Sequence, residues 1–429
     1  MGKTNNFLYG FLFILLIFLC TASCNTIEPP DPPPPPPPVY KDTITVTVED
    51  VTHRSITVTI KTTANNPKSS INLFRIFGNT AELLRADYPI TVSDTSIIDE
   101  GLELSTTYTY YAVRIDTTGI RKDSSKIAEA RTLDTTSHNY TWQGFTIGEW
   151  NSVLYDVWGT DENNVYACGI VIINDTVYGV MHWDGIEWKP VKKDGGAYAI
   201  FGFSNNDIWV VGGSIFHFDG QAWDEILFDD QILVDNIPYY SVWGTSSSNL
   251  YFGNGRGKII HWDGNNADIV YTNQDIVYVK DLDGYSSDFI IGVGTGMIPP
   301  LFAVYYDGNN WTNLPISSDW SLNSTAIVST NKIYFGGDGI FELNKGNFTR
   351  IFNPGYYVWD IEYNKQTGVI VASGDFDGVY IHNGLEWRSY KGQISSDNTS
   401  YAGIFLINNT IFCVGSSINE AKIIIGKNN

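Results

Sequence analysis

A short phrase built around an Asp-Gly pair recurs along the C-terminal two-thirds of the chain. It reads His-Trp-Asp-Gly-Ile-Glu-Trp at His182–Trp188 and His-Phe-Asp-Gly-Gln-Ala-Trp at His217–Trp223. Such pairs favour the two-residue type I′ turn of a β-hairpin, because both central residues adopt positive φ. The turn positions 184, 219, 263, 307, 345 and 383 are 35 to 44 residues apart, and a period of this length indicates a repeat architecture.

A second phrase precedes the hairpin in each repeat. It reads Val157-Trp158-Gly159 followed by Asn164–Gly169, and it recurs from Val242. It predicts two more short strands, so each repeat has four, as in the blade of a β-propeller. The expected fold of residues 139–429 is a seven-bladed β-propeller, with blades that start near residues 153, 197, 239, 277, 324, 356 and 400.

The last predicted blade lacks its fourth strand, since the chain offers only Ala421–Gly426 as a third. An unassigned strand, Tyr140–Ile147, precedes the first blade. Pairing it beside Ile423–Ile425 would remove both open edges and close the ring through the N-terminal strand.

These repeats resemble the bacterial propeller repeats of the pattern V-W-G…D-V-W-V-V-G…H-W-D-G-x-x-W. They differ from WD repeats, which carry a Gly-His pair, and from the sialidase Asp-box, which has a residue between Asp and Gly. The resemblance therefore implies the fold and no sialidase chemistry.

The N-terminus is predicted to be a lipoprotein signal peptide, residues 1–24. Lys3 precedes an apolar run from Phe7 to Cys20, which is too short to span a bilayer comfortably. The run ends in Thr-Ala-Ser-Cys, which resembles a bacterial lipobox and implies a lipidated Cys24. Asn25 after this cysteine implies an outer-membrane or cell-surface lipoprotein facing the periplasm or the exterior. The alternative is an ordinary cleaved signal with an incidental cysteine.

Two further segments precede the propeller. Residues 25–38 form a Pro-rich linker whose run Pro32–Pro38 favours a stiff polyproline II spacer. Residues 39–134 alternate apolar and polar residues like an all-β domain. Within them, Leu102–Val113 resembles the fibronectin type III phrase, with Tyr108 at the tyrosine-corner position. This resemblance implies a fibronectin type III sandwich followed by the propeller, and hence an all-β chain.

Composition limits the partners. The formal net charge of −21 argues against nucleic acid and against direct binding to an anionic membrane surface. Contact with the membrane is therefore expected only through a lipid anchor, and the protein is expected to be a monomer. Cys168 and Cys413 are expected to be small buried hydrophobes.

The sequence predicts no catalytic residue, no metal site and no cofactor. No nucleophile motif, phosphate-binding loop or zinc spacing occurs. Two Asp-x-Asp-Gly segments, Asp281–Gly284 and Asp375–Gly378, are interpreted as turns, with calcium binding as the alternative. The repeated histidines occupy equivalent places in different blades, so a common site is not expected: His182, His217, His261 and His382.

The favoured function is an exported binding protein that presents its propeller to a glycan or a protein. The alternatives are a carbohydrate-active hydrolase or lyase and a purely structural envelope protein. The ligand is expected on the face that carries the strand 2–3 loops and the inter-blade crossings, where loop lengths vary. The loop residues Tyr178 and Trp320 are the preferred candidates, because they do not repeat. The other candidates are tyrosines that inter-blade packing could also explain: Tyr239, Tyr155, Tyr198, Tyr240 and Tyr401.

Overall fold

The computed structural model describes residues 44–62, 69–78, 80–89, 94–116, 118–228, 237–273, 276–296, 302–314, 316, 320–395, 397–418 and 420–429. The predicted signal peptide with Cys24 and the Pro-rich linker lie outside these residues. The regular structure within the described ranges is β-strand. No helix long and apolar enough to cross a membrane occurs in those ranges.

The N-terminal strands form two sheets with alternating buried side chains, such as Ile56 and Val58. The strands are β1 (Ile44–Val51), β2 (Ser55–Thr62), β3 (Ser69–Phe77), β4 (Thr80–Pro89), β5 (Thr95–Glu100), β6 (Thr107–Asp116), β7 (Arg121–Ser124) and β8 (Ala128–Arg131). One sheet has the order β1-β2-β5, and the other has the order β4-β3-β6-β7 with β8 beside β6. Leu102 and Tyr108 of the fibronectin-like phrase are both buried.

The chain divides into two compact units. The first comprises residues up to Thr47 with Ile60–Thr95 and Tyr108–Glu129. The second comprises Val48–Thr59, Ser96–Thr107 and Ala130–Asn429. The predicted boundaries at 39–134 and 139–429 stay predictions.

The second unit contains seven four-stranded antiparallel sheets among its described residues. They begin after β9 (Tyr140–Ile147) with β10 (Val153–Asp161), β11 (Asn164–Ile173), β12 (Thr176–Trp183), β13 (Trp188–Lys193), then β14 (Ala197–Ser204), β15 (Asp207–Gly212), β16 (Ile215–Phe218), β17 (Trp223–Ile226), then β18 (Tyr239–Ser246), β19 (Asn249–Asn254), β20 (Lys258–Trp262), β21 (Ala267–Thr272). They continue with β22 (Ile276–Ser286), β23 (Phe289–Gly296), β24 (Phe302–Tyr306), β25 (Trp311–Asn313), then β26 (Leu322–Ser329), β27 (Lys332–Gly337), β28 (Ile340–Asn344), β29 (Asn347–Phe352), then β30 (Val358–Tyr363), β31 (Ile370–Gly374), β32 (Gly378–His382), β33 (Trp387–Ser389), and finally β34 (Ser400–Ile407), β35 (Thr410–Ser417) and β36 (Glu420–Asn428).

The seven sheets form a closed ring. The first strands contact one another in sequence order, and β34 of the last sheet returns to contact β10 of the first. The last sheet has the order β34-β35-β36-β9, so the N-terminal strand supplies its missing member. Phe145 pairs with Ile423 and Gln143 with Ile425, which is the closure that the sequence predicts.

The predicted type I′ geometry is found at Lys345 and Gly346, which both have positive φ (50° and 82°), but not at the Asp-Gly turns. Gly185 has a positive φ of 89°, while Asp184 is not among the positive-φ residues. Gly185 and Ile186 are therefore the two loop residues, as in a type II′ turn with glycine first. The Asp184 carboxylate caps the turn, because its Oδ1 accepts the N–H groups of Ile186 (3.0 Å) and Glu187 (2.9 Å).

Candidate functional site

Every first strand of the ring carries a β-bulge at the same place. In the first sheet, Leu154 pairs with Gly169 and Asp156 pairs with Cys168, so Tyr155 is the extra residue. A bulge turns the extra side chain away from its regular direction. The extra residues of the seven sheets are Tyr155, Tyr198, Tyr240, Lys280, Asn323, Trp359 and Ala402.

All seven extra residues line one cavity of about 110 Å³ at the centre of the ring. They lie near the start of their strands, on the side of the strand 2–3 loops. We call this set of seven residues the channel mouth. The bulges thus place one side chain from each sheet around a single opening.

One side of the channel mouth is aromatic. The ring centroids of Tyr155 and Tyr198 are 5.2 Å apart, and those of Tyr198 and Tyr240 are 4.9 Å apart with an interplanar angle of 17°. Tyr278, which the sequence analysis missed, extends this row at 4.9 Å from Tyr240. These tyrosines are partly exposed. The structure therefore brings together three of the predicted candidates in a tyrosine sector formed by Tyr155, Tyr198 and Tyr240.

The opposite side of the mouth holds a lysine. The Lys280 ammonium donates a hydrogen bond to Asn323 Oδ1 (2.7 Å) and lies 5.2 Å from the Trp359 ring centroid. The Trp359 indole N–H donates to Asp375 Oδ1 (2.7 Å), which fixes the ring. Burial lowers the pKa of Lys280, because the charged form loses water contacts.

Three carboxylates lie directly below the mouth. The residue after each bulge is aspartate in three sheets, and we call Asp156, Asp281 and Asp360 the carboxylate girdle. Each accepts a backbone N–H from the next sheet, 44 residues further along, from Ile200 (2.8 Å), Thr325 (2.7 Å) and Ile404 (2.8 Å) respectively. The girdle thus joins neighbouring sheets at the centre of the ring.

The girdle carboxyls have raised pKa values. Burial, and to a smaller extent the nearby charge of Asp360, raises the pKa of Asp156 to about 7. Burial is also the main cause of the raised pKa of Asp281 and of Asp360. Asp281 and Asp283 belong to strand β22 and face the channel, so the predicted turn at Asp281–Gly284 is wrong. The period-two spacing of this segment is that of a strand, whose alternate side chains share a face.

A second cavity of about 310 Å³ lies on the other side of the girdle. It shares Asp156, Asp281 and Asp360 with the first cavity and adds Asp283 and Glu362. The Thr325 hydroxyl, on a residue only 4% exposed, lines this cavity and has no hydrogen-bond partner among the described residues. The centre of the ring is therefore a polar, acidic channel.

The remaining predicted candidates lie elsewhere. Tyr239 (5% exposed) and Tyr401 (1% exposed) are buried in hydrophobic clusters between sheets. Tyr178 is half-buried against the cluster at the ring closure. Trp320 is 43% exposed, with the Arg350 guanidinium 4.7 Å from its ring centroid. None of these four residues is among the described lining of the two channel cavities.

The four repeated histidines are held inside their own sheets. His217 Nε2 lies 2.8 Å from Asp207 Oδ1, and His261 Nε2 lies 2.7 Å from Asn249 Oδ1. His182 stacks on Tyr166 with centroids 4.3 Å apart. Burial lowers the pKa of His382 to about 4. Across the described part of the chain, no group of three His, Cys, Asp or Glu side chains is arranged to hold a metal ion.

Comparison with known proteins identifies the fold of the second unit. No family model and no curated protein matches the chain. The solved structure described as "YCF48 bound to D1 peptide" matches with a TM-score of 0.53 and 15% identity, covering 70% of this chain and 100% of that chain. The WD40 β-propeller domain of Doa1 matches with a TM-score of 0.50 and 16% identity, covering 67% of this chain and 97% of that chain. The ring is a β-propeller. Its seven sheets are hereafter called blades one to seven in chain order.

Proposed function

We propose that this chain is an exported, lipid-anchored binding protein whose propeller presents the channel mouth to a protein ligand. The observation that carries the proposal is the set of seven bulges, which aim seven side chains, four of them aromatic, at one opening. Partly exposed aromatic rings beside polar groups are the usual anchors of a binding site. The fold is that of proteins with interaction roles, and one structural neighbour was solved with a bound peptide.

The rest of the chain serves to display this opening. Cys24 carries the lipid, residues 25–38 hold the protein away from the membrane, and residues 39–134 form a fibronectin type III spacer. The seven four-stranded sheets are the blades of a seven-bladed propeller closed by β9. The formal charge of −21 supports a basic or neutral partner over a nucleic acid.

A pair of double variants tests the location of the ligand site. The wild-type protein is screened against a random-peptide display library and a glycan array. Tyr155→Ala with Tyr198→Ala is expected to abolish capture of the selected peptides while the melting temperature changes little, since both rings are partly exposed. Tyr178→Ala with Trp320→Ala is the matched control and is expected to retain binding. Binding lost only in this second pair would move the site to the loops and would reject the channel mouth.

A carbohydrate-active enzyme is the second candidate, and the channel carboxyls are the observation that favours it. Glycoside hydrolases use a carboxyl group with a raised pKa as the general acid. Burial raises the pKa of Asp156 to about 7 and that of Asp283 to about 6. Release of reducing sugars from a polysaccharide panel by the wild type, but not by Asp156→Asn, would establish this function in place of simple binding.

A further inference from the structure

We propose that the channel mouth holds the guanidinium group of an arginine side chain from the protein ligand, stacked on the tyrosine sector above Asp156. This inference rests on the proposed function, and it specifies the chemistry of the group that enters the opening.

The tyrosine sector lines the cavity with a row of partly exposed rings, and Tyr155, at the end of this row, contacts only one of the other two. Tyr198 and Tyr240 are stacked 4.9 Å apart, and both keep part of their surface exposed to the cavity that they line. A guanidinium is planar and weakly hydrated, so it stacks on aromatic rings more readily than an ammonium does. An aromatic row that opens into a cavity of about 110 Å³ thus fits a slender side chain better than a sugar ring.

Asp156 supplies the charge below the rings. It follows the bulged Tyr155 directly and lines the same cavity. Its Oδ1 accepts the N–H of Val157 (2.7 Å), and its Oδ2 accepts the N–H of Ile200 (2.8 Å). A carboxylate oxygen can accept more than one hydrogen bond, so each oxygen keeps capacity for a donor from the channel. A charge-assisted pair with a guanidinium is stronger than a neutral hydrogen bond.

The Thr325 hydroxyl, in the cavity on the other side of the girdle, is a second polar group of the channel that lacks a partner among the described residues. It is 4% exposed and lines the channel beside Asp281. A buried polar group without a partner costs about 1–3 kcal/mol. A guanidinium carries several N–H donors and no acceptor, which matches a channel lined by carboxyl and hydroxyl oxygens.

The distribution of cations in the mouth favours the tyrosine sector as the place for an incoming cation. Lys280 is the one cation among the described residues that line the upper cavity, and it sits over Trp359 on the far side. The tyrosine sector comes from blades one to three, whereas Lys280 and Trp359 come from blades four and six. The tyrosine sector therefore has aromatic rings and the Asp156 carboxyl group beside them, with no cation of the described lining on that side.

Peptide titration of the full-length protein in detergent micelles tests the inference. The probe is acetyl-Gly-Ser-Arg-Ser-Gly-amide, measured by isothermal titration calorimetry, with a citrulline peptide as the uncharged control of the same shape. The arginine peptide is expected to bind at least tenfold more tightly than the citrulline peptide. Equal affinities, or no measurable binding of the arginine peptide, would overturn the inference.

Three variants connect the binding to the proposed contacts. Asp156→Asn keeps an acceptor for the Ile200 N–H but removes the charge, and it is expected to weaken the arginine peptide at least tenfold without lowering the melting temperature. Tyr198→Leu removes a ring of the tyrosine sector and is expected to weaken the arginine peptide to a similar extent, which keeps the test available if the first variant folds poorly. Trp150→Leu, which alters an aromatic residue 68% exposed and outside the channel, is the control with unchanged affinity.

The outcomes separate the inference from the proposed function. In one outcome, selected peptides lose affinity with the Tyr155 and Tyr198 variants but keep it when arginine is replaced by citrulline and when Asp156 is replaced by Asn. That result would overturn the arginine inference and retain the channel mouth as the binding site. Peptides whose affinity is unchanged by the tyrosine variants would overturn both the arginine inference and the channel mouth as the binding site.

Discussion

At the scale of single residues, the aspartates of the channel have a structural role that any functional role must share. Asp156, Asp281 and Asp360 each accept a backbone N–H from the next blade. These bonds join blades one and two, four and five, and six and seven. Asp283 and Glu362, two residues further along the same strands, make the same kind of contact. They accept the backbone N–H of Ile327 (3.0 Å) and of Leu406 (3.4 Å). A change at these positions therefore tests stability and binding together, which is why asparagine, and not alanine, is the informative replacement.

The raised pKa of Asp156 predicts an unusual dependence of stability on pH. The pKa is about 7 in the folded protein against an ordinary value of 3.8, so the folded state binds the proton more tightly. This contribution to stability is fully present below about pH 4 and is lost as the pH rises towards 7. The free energy of unfolding of the wild type is expected to decrease between pH 4 and pH 7, and Asp156→Asn is expected to make this decrease smaller by on the order of 3 kcal/mol. Urea unfolding at pH 4, 5, 6 and 7 measures it.

Asp184→Asn is the control for this titration, because its pH dependence has the opposite sign. Hydrogen bonds from Lys189 and from the turn N–H groups lower the pKa of Asp184, so its contribution is lost as the pH falls. The variant is expected to change stability only on the acid side. A wild-type slope that Asp156→Asn leaves unchanged would show that Asp156 is ionised in the folded protein at neutral pH.

At the scale of elements, the sequence pattern predicted the strands well and the channel poorly. The inner strands of the blades, such as β15, are buried on both faces, so apolar runs and Asp-Gly turns mark the strands without knowledge of the fold. Those signals located the four-strand repeats and the closing strand. A bulge adds one residue to a strand and shifts its alternation, so that in β10 the buried Leu154 is followed by the buried Val157 three positions later. Lys280, Asn323 and Trp359 occupy bulges without repeating one another, so a search for repeated residues passes over them.

An alignment of the first strands by their bulges would have found the channel mouth. The three tyrosines of blades one to three occupy this position and were recognised as candidates. Asp281 was missed for a different reason, because Asp281-Leu282-Asp283-Gly284 has the composition of a turn. Its strand assignment depends on pairing, with Asp281 opposite Val293 and Asp283 opposite Ile291. Tertiary pairing of this kind is not encoded in local composition.

The pairing of β9 with β36 is expected to carry much of the stability of the ring. Phe145 packs edge-to-face on Trp183 at 5.3 Å, and without β9 the strand β36 would be an open edge. A protein that begins at Ser152 is expected to aggregate, or to melt well below one that begins at Asp134. Circular dichroism melting and size-exclusion chromatography compare the two. Equal melting temperatures would show that the ring holds without its closing strand.

At the scale of the whole molecule, acidity and the polar channel favour the same class of partner. The chain carries 47 acidic against 26 basic side chains. A charge excess of this sign attracts cationic partners over a distance that shrinks as salt rises. The association rate of an arginine peptide is therefore expected to fall with ionic strength, whereas the citrulline peptide shows little change. This long-range effect adds to the local contacts at the mouth without replacing them.

Attachment of the whole molecule to a membrane depends, in our proposal, on Cys24. The motif Thr-Ala-Ser-Cys ends a short apolar run and resembles a lipobox, and each buried CH₂ of an attached acyl chain adds about 0.8 kcal/mol to membrane binding. Cys24→Ala is expected to move the protein from the membrane pellet to the soluble fraction and to abolish labelling with radioactive palmitate. Cys168→Ala, which alters a buried cysteine of β11, is the matched control and is expected to stay in the pellet. A Cys24→Ala protein that remains membrane-bound with unchanged processing would rule out the lipid anchor and favour an ordinary cleaved signal.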